Sequence, residues 1–557
     1  MERDALGAVL QELTARGFKA RRQVRGVRRF EGTLDCRGEP VRVQLGFSNL
    51  EFLTYPLIKV LSGIDRSLLT PHLFASGGLC YFQAGSVVLD RYDPAASIGA
   101  CLDQAHRILE LIKFDLEYRR HDIQDEFLAY WSDGSSFRPV IMGSVSPSSK
   151  ATAYWRAPIG TKSLMILADD PAEATALAQA LGAGASEPLG CPCWLFKSDR
   201  PLLVPASMPK TVHELFTWLK EWDPALSRSV QKLLDSDRSY LEYGLATFAV
   251  HSLAGWLCFG FELNGYMRKS FKRRPSGYLQ YLHKRGGATA VFRYSVVEAG
   301  SDFVHSRNLS FPDLKNKNII LVGCGAIGSY LAPALVRLGA GTGSGSLILV
   351  DNDILWPENL GRHSLGYSSL FKAKSAELRA ELKRQFPMAN LLASEEDVAD
   401  VSKLFDADLV IDATGEEAVS EMLNARRLAL ASRTPMLHAW ILGNGEAVQI
   451  LWAQGVKNAC YRCLRKSGPG EIREERYPVL KGPPKRKQIA CHAFTPYAVS
   501  AAMNSAALAT EVVVDWLERG DPSPRFRTRI ADNADAHKVK NQDSERLWHC
   551  PACSHAR

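Results

Sequence analysis

The chain lacks any stretch that is both long enough and apolar enough to cross a membrane. A long uncharged run, residues 244–261, reads GLATFAVHSLAGWLCFGF and includes Thr247, His251, Ser252 and three glycines. A spanning helix takes about 20 predominantly apolar residues, so two buried strands or one core helix suit this run better. The start, Met1-Glu-Arg-Asp, has mixed charge and no apolar core, and does not read as a secretory signal. The 12 cysteines in 557 residues lack the dense, regular spacing of a disulfide scaffold, which points to a reducing compartment and to thiol or metal chemistry. Nor is one sign of charge in great excess. There are 68 basic against 60 acidic residues, a formal +8, and the basic residues are spread along the chain. These absences argue against membrane and nucleic acid as partners, and a cytoplasmic protein is expected. At 557 residues, 46% hydrophobic and 23% charged, the chain exceeds one core and should form two to four domains.

What is present concentrates first in residues 318–362. An apolar run over 319–322 leads into Gly323-x-Gly325-x-x-Gly328, then a helix-like segment, then a second apolar run over 347–350 that ends on Asp351. Strand, glycine turn, helix, strand, acid is the form of a nucleotide-binding βαβ unit. The glycines permit a tight turn and close approach to phosphate, and the helix N-terminus offers free N–H groups to an anion. Alone, this suits NAD as well as ATP. Asp353, Asn359, Arg362, Lys372 and Lys374 follow. A dinucleotide presents only a diphosphate, whereas such a cation cluster suits a triphosphate whose charge develops further as pyrophosphate leaves.

The first third reads as helix, β-meander, irregular thiol-bearing loop and helices, an α+β pattern. Residues 1–17 suit an amphipathic helix with Leu6, Val9, Leu10 and Leu13 on one side; 28–34 and 41–47 read as strands, and 95–120 as a helix. Cys80 follows Gly77-Gly78-Leu79 in a nonperiodic loop, the kind of segment that displays reactive groups, although a lone cysteine is commonly buried and inert. Residues 131–300 carry little chemistry and read as an α/β connector. Helices are expected at 171–181, with Pro171 at the first position after Asp170, and at 212–222. Cys191-Pro192-Cys193 is too tight for a usual zinc pair, and the basic run 268–274 reads as a solvated face.

In residues 301–557, Asp412-Ala-Thr-Gly415-Glu416 closes a further apolar run. Cys460 and Cys463, with Cys550 and Cys553, form two Cys-x-x-Cys knuckles, the ligand set of a closed tetrahedral zinc site. Between them, Lys485-Arg486-Lys487 precede Cys491, and Thr495-Pro496 is expected to open an apolar helix to about residue 517. Cations before a thiol and a helix N-terminus after it favour thiolate.

Two resemblances follow from these residues. Tyr55-Pro56, the irregular segment, Cys80 and Asp93-Pro94-Ala95-Ala96 resemble the core of ubiquitin-conjugating enzymes over about residues 1–125. His72, in Thr70-Pro71-His72, takes the slot of that family's loop- and oxyanion-supporting Asn, eight residues before the thiol. The Gly-x-Gly-x-x-Gly, Asp-x-Asp, Asn-x-x-Arg, Lys series resembles the Rossmann-like adenylation domain of ubiquitin-activating enzymes and of ThiF/MoeB proteins that activate sulfur carriers. That resemblance implies ATP and Mg²⁺, with Asp351 at the ribose and Asn359, Arg362 and Lys374 at the phosphates. Gly415-Glu416 stands where that family has an Asp-Asn pair, leaving Asp412 or Glu416 for Mg²⁺. It also implies a structural Zn²⁺ on the four knuckle cysteines, Cys491 as the thiol that accepts the acyl group, and a homodimer in which Arg307 reaches the partner subunit's nucleotide site.

The order is a conjugating-like domain (1–130), a connector (131–300) and an adenylation domain with a zinc knuckle (301–557). It resembles bacterial fusions of CBASS antiphage systems, which conjugate the C-terminus of a cGAS-like nucleotidyltransferase. The implied activity is ATP-dependent ligation. The C-terminal carboxylate of a donor, a cGAS-like nucleotidyltransferase or ubiquitin-like protein, is adenylated, passed from Cys491 to Cys80, and joined to a target amine. A sulfur-carrier activating enzyme and a nonenzymatic nucleotide-binding scaffold remain the alternatives.

Overall fold

The computed structural model describes residues 2–554 apart from 66–68, 133–138, 147–149, 160–161, 183–188, 238, 264, 272–274, 467–473 and 490–491. The chain forms two compact units, Met1–Ala174 with Ala183–Val297, and Thr175–Gly182 with Glu298–Arg557.

The first unit opens with helix α1 (Glu2–Ala15) and the antiparallel meander β1 (Lys19–Val24), β2 (Val27–Cys36), β3 (Glu39–Phe47) and β4 (Leu57–Ser62). Alternation puts Phe30, Val41, Val43 and Leu45 on one face, where they are buried with Ile58, Val60 and, from α1, Val9 and Leu13. The two expected strands are β2 and β3. β1 carried no alternating signal because all six of its residues are exposed. The single helix expected over 95–120 is two, α2 (Pro94–Phe114) and α3 (Leu116–Trp131). Asp115 divides them: its N–H donates to Leu111 O at 3.0 Å, ending α2, and its carboxylate accepts from Tyr118 N at 2.8 Å, starting α3. A carboxylate at an N-cap satisfies otherwise orphaned helix N–H groups.

The chain continues with β5 (Pro139–Met142), β6 (Lys150–Ile159), β7 (Lys162–Ala168), α4 (Pro171–Ala180, of which the part from Thr175 on is assigned to the second unit), β8 (Leu189–Lys197), α5 (Val212–Trp222), α6 (Pro224–Ser236), α7 (Ser239–Tyr243), β9 (Leu245–Ser252), β10 (Gly255–Glu262), α8 (Gly265–Phe271), α9 (Pro275–His283) and β11 (Phe292–Glu298). The strands close into a barrel in the order β10-β11-β5-β7-β6-β8-β9. The uncharged run is the hairpin β9–β10, whose strands are buried along most of their length. Phe127, Tyr130 and Trp131 of α3 belong to the core that contains Trp218 and Phe259. Trp131 Nε1 donates to Cys258 O at 3.0 Å. Helix α3 is thus shared by the conjugating-like domain and the connector, and the expected boundary at residue 130 falls inside it.

The second unit comprises α10 (Ser301–Ser306), β12 (Asn318–Val322), α11 (Ala326–Arg337), β13 (Ser346–Val350), α12 (Lys374–Gln385), β14 (Leu391–Ser394), β15 (Leu409–Asp412), α13 (Glu417–Ala429), β16 (Met436–Leu442), β17 (Ala447–Ala453), β18 (Lys487–Ile489), β19 (His492–Phe494), α14 (Val499–Arg519) and β20 (Phe526–Ile530). Its sheet runs β14-β13-β12-β15-β16-β17-β20, parallel from β14 to β16 and antiparallel beyond. Residues 319–322 of β12 and all of β15 are buried, as central parallel strands covered on both faces require. The chain leaves β12 toward β13 on one side and returns as β15 on the other, which makes the carboxyl end of β12 a topological switch point. The helix expected from Thr495-Pro496 starts instead at Val499, with Ala498 as its cap. Pro496 O is held by Asn444 Nδ2 at 2.8 Å, so that carbonyl is engaged from outside the helix and residues 495–498 stay irregular.

Candidate functional site

The turns after β12, β13 and β15 enclose a cavity of about 400 Å³ lined by Gly323, Gly325, Asp351, Asp353, Asn359, Arg362 and Lys374, with Glu396, Asp397, Thr414, Glu416 and Tyr497. Seven of the nine expected nucleotide residues therefore meet in one place. A Cβ on Gly325 would meet no protein atom within 4 Å; the bare backbone leaves open space for a phosphate. Gly328 is bound by a different constraint, since a Cβ there would lie 1.8 Å from Gly323 O. It permits close turn packing and does not line the cavity.

Asp351 Oδ2 accepts from Cys324 N at 2.6 Å and Oδ1 from Asp353 N at 2.8 Å. Burial nonetheless raises its pKa. Lys374, 6% exposed, pairs with Asp353, and the Arg362 guanidinium lies 5.5 Å over the Tyr497 ring. Asn359 Oδ1 accepts from Trp356 N at 2.9 Å. Cys324 is fully buried, and burial drives its pKa well up, so it is a packing residue.

Asp412 is placed differently from the expectation. It is buried and absent from the cavity wall. Its Oδ1 accepts from Thr414 N (3.1 Å) and Oγ1 (2.6 Å), and its Oδ2 from Ser420 Oγ (2.5 Å) and His438 Nδ1 (2.8 Å). Burial opposes its ionisation, but these bonds outweigh it, His438 first, and hold the pKa low. Both oxygens are occupied in fixing the turn that carries Thr414 and Glu416. Of the two acids, Glu416 is the one that lines the cavity.

The Cys80 loop is a second site. Tyr81 Oη donates to Pro56 O at 2.5 Å, tying the Tyr-Pro turn to the thiol's neighbour. Cys80 is partly buried, and its N–H donates to His72 O at 2.8 Å. Burial, then the carboxylate of Glu126, raise its pKa. His72 has a left-handed backbone (φ 59), uncommon away from glycine. It is held by α3, with Nε2 2.7 Å from Tyr118 Oη and 2.8 Å from Asp122 Oδ2.

Cys460, Cys463, Cys550 and Cys553 are buried with their sulfurs within 4.8 Å of one another. Separations of 3.8 Å (Cys460–Cys463, Cys460–Cys550) and 3.5 Å (Cys463–Cys553) match the edge of a tetrahedron with Zn–S of about 2.3 Å. Leu547 N donates to Cys463 Sγ at 3.4 Å, and the buried Arg427 guanidinium interacts electrostatically with Cys460 and Cys553. The four sulfurs could hold a metal such as zinc.

Cys491 lies outside the described residues. The strands on either side, β18 and β19, pair Ile489 with His492 and Lys487 with Phe494. Arg307 is exposed at the end of α10, 5.8 Å over the Phe303 ring, and does not line its own chain's cavity.

The ThiF family matches residues 304–550, and Prokaryotic E2 family B matches residues 8–137. The ATP-dependent ubiquitin transferase-like protein Cap2 of Pseudomonas aeruginosa is 31% identical over 527 residues, 93% of this chain and 92% of that protein. The chain belongs to the Cap2 family. Cap2 of Vibrio cholerae is 34% identical over 342 residues, 56% of each chain. Of solved structures, E. coli MccB with ATP is 19% identical and covers 43% of this chain and 67% of its own, with a TM-score of 0.33, too distant to argue from. Membership in the Cap2 family, with both domains matched, makes this chain an ATP-dependent activating and conjugating transferase-like enzyme. Among the described residues no helix is long and apolar enough to cross a membrane.

Within this Cap2-family fold, sequence reasoning missed Tyr497, His363 and the α3 residues Tyr118, Asp122, Glu126 and Tyr130. The last four recur every fourth position and so share a helix face; that polar period was the available signal.

Proposed function

We propose that this chain adenylates the C-terminal carboxylate of a donor protein and relays it through Cys491 and Cys80 to a target amine. The observation that carries this reading is the single cavity in which Gly325, Arg362, Lys374 and Asp351 converge. Open backbone at Gly325 accepts phosphate, Arg362 and Lys374 face the charge that develops on departing pyrophosphate, and Asp351 offers a carboxylate to the ribose. The donor carboxylate attacks the α-phosphorus and pyrophosphate leaves. The Cys491 thiolate then takes the acyl group from AMP, a covalent division of one difficult transfer into easier ones. Exchange onto Cys80 and attack by the amine complete the ligation.

The assignment of Cys491 is supported by the residues that flank it in the chain. Asn444 accepts from Lys485 N at 2.7 Å and donates to Lys485 O at 2.9 Å and to Pro496 O at 2.8 Å, and Tyr497, the next residue, lines the cavity. Mg²⁺ fits the acidic wall formed by Glu416, Asp353, Glu396 and Asp397, where it would neutralise phosphate charge. Zn²⁺ on the four cysteines would be structural, since a site closed by four thiolates leaves no open position. The exposed Arg307 suits a homodimer in which it serves the partner subunit's cavity. The donor class is a cGAS-like nucleotidyltransferase or ubiquitin-like protein, with antiphage defence in the cytoplasm as the setting.

The test is intact-mass analysis under nonreducing conditions after incubation with ATP, Mg²⁺ and candidate donors. Reducible donor adducts are expected on Cys491 and Cys80 in turn, with donor-dependent ATP–pyrophosphate exchange. Adducts that persist in the Cys80→Ala, Cys491→Ala double variant would sink the relay.

A further inference from the structure

The α3 face beside Cys80 has a role that the relay leaves unfilled. His72 Nε2 lies 2.8 Å from Asp122 Oδ2 and 2.7 Å from Tyr118 Oη, and the carboxylate acceptor places the ring N–H on this nitrogen. Its buried Nδ1 has no hydrogen-bond partner and lies 3.7 Å from Glu126 Oε2. Tyr130 Oη accepts from His72 N at 2.5 Å and donates to Glu126 Oε2 at 3.1 Å. Glu126 is therefore fixed through one oxygen, while Oε1 accepts no hydrogen bond among the described residues and the side chain stays 41% exposed. Its charge acts directly on Cys80, Tyr130 and Tyr118. His72 from the loop and Asp122, one turn earlier on the same helix face, are further titratable groups beside it. The arrangement is a carboxylate held in place, open on one side, beside an acyl-carrying thiol.

We infer that Glu126 is the catalytic base of the ligation step, taking the proton from the amine that attacks the acyl group on Cys80. This deepens the relay proposed above and rests on it. The amine nitrogen bonds to the thioester carbonyl carbon, the C–S bond breaks, and its electron pair stays on Sγ. One N–H proton passes to Glu126 Oε1 and on to the Cys80 thiolate. The products are an amide and a thiol, and no further reactant is consumed. The thiol's raised pKa favours this last transfer. Tyr130 and His72 are positioning residues. Because His72 directs its ring N–H to Asp122, it supports the loop and does not serve the oxyanion.

The experiment loads Cys80 of the full chain by exchange with a glycine-terminated peptide thioester of mercaptoethanesulfonate, with mass analysis to locate the adduct. Discharge is then followed with free lysine and with hydroxylamine, which is already unprotonated at neutral pH. In Glu126→Gln, loading and hydroxylamine discharge should match wild type. Lysine discharge should slow on the order of 100-fold, the typical contribution of a general base, and should keep rising with pH where wild type levels off. Glu126→Asp should recover part of the rate. Wild-type lysine discharge in Glu126→Gln, or equal losses with both nucleophiles, would overturn the assignment alone. A wild-type chain that never loads on Cys80 would take down the conjugating site together with it.

Discussion

At the scale of single residues, His363 shows how burial in this site sets chemistry. Its Nε2 donates to Cys324 O at 2.7 Å and its Nδ1 accepts from Leu365 N at 3.0 Å. One donor and one acceptor describe a neutral imidazole. Burial lowers its pKa from the ordinary 6.5 to about 4. The unfolded chain therefore binds the proton first as pH falls, and stability rises with pH across that window. The contribution is complete above about pH 6.5 and is lost on acidification toward pH 4, on the order of 3 kcal/mol at about 1.4 kcal/mol per pKa unit. Denaturant melts of wild type and His363→Gln from pH 4 to 7 should show a shallower pH dependence in the variant. Parallel curves would mean that the ring does not titrate with unfolding.

At the scale of elements, the β18–β19 hairpin depends on Asn444, which bonds to Lys485 and Pro496, residues 41 and 52 positions away. Both legs that flank Cys491 are held by one amide. Asn444→Ala should leave ATP–pyrophosphate exchange within about twofold of wild type and slow acyl transfer to Cys491 by at least about tenfold, because small misplacements of a nucleophile are costly. Single-turnover mass analysis reads the two steps separately, and equal losses in both would refute the division. Helix α3 is the other element with a double role. Asp115 starts it, its polar face holds His72, and Phe127, Tyr130 and Trp131 sit in the connector core. Packing in the connector core therefore fixes the position of α3, and of Glu126 with it.

At the scale of the whole molecule, the four cysteines bring residues 460–463 and 550–553 together across 86 intervening residues. Because apolar packing there, among the described residues, is limited to Ala459, Leu428, Leu547 and Ala552 around the sulfurs, metal binding should supply much of the local stability, as in other structural zinc sites. Metal analysis should find one Zn²⁺ per chain. Cys553→Ser or strong chelation should remove it and lower the thermal midpoint by several degrees. A metal-free chain with an unchanged midpoint would rule out a structural role.

The glycine turn, the acid after β13, the Asn-x-x-Arg and Lys series and the two knuckles were legible in the chain alone because each is a local pattern. A tight turn needs glycine at set positions, and a metal knuckle needs two thiols three residues apart. Local spacing determined the chemistry of the second unit and the presence of a displayed thiol in the first. Only the tertiary structure decided what depends on contacts distant in sequence. Asp412 ends a strand in an acid, yet the fold turns it toward His438 and Ser420, removing it from the cavity. The seven strands of the connector close into a barrel through pairings such as β5 with β7 and β8 with β9. Cys80 comes under the charge of Glu126 because His72, whose carbonyl accepts from Cys80 N, is held against α3, 46 residues after the thiol in the chain. Such neighbours are chosen by packing of whole elements, and no single stretch of sequence contains both partners.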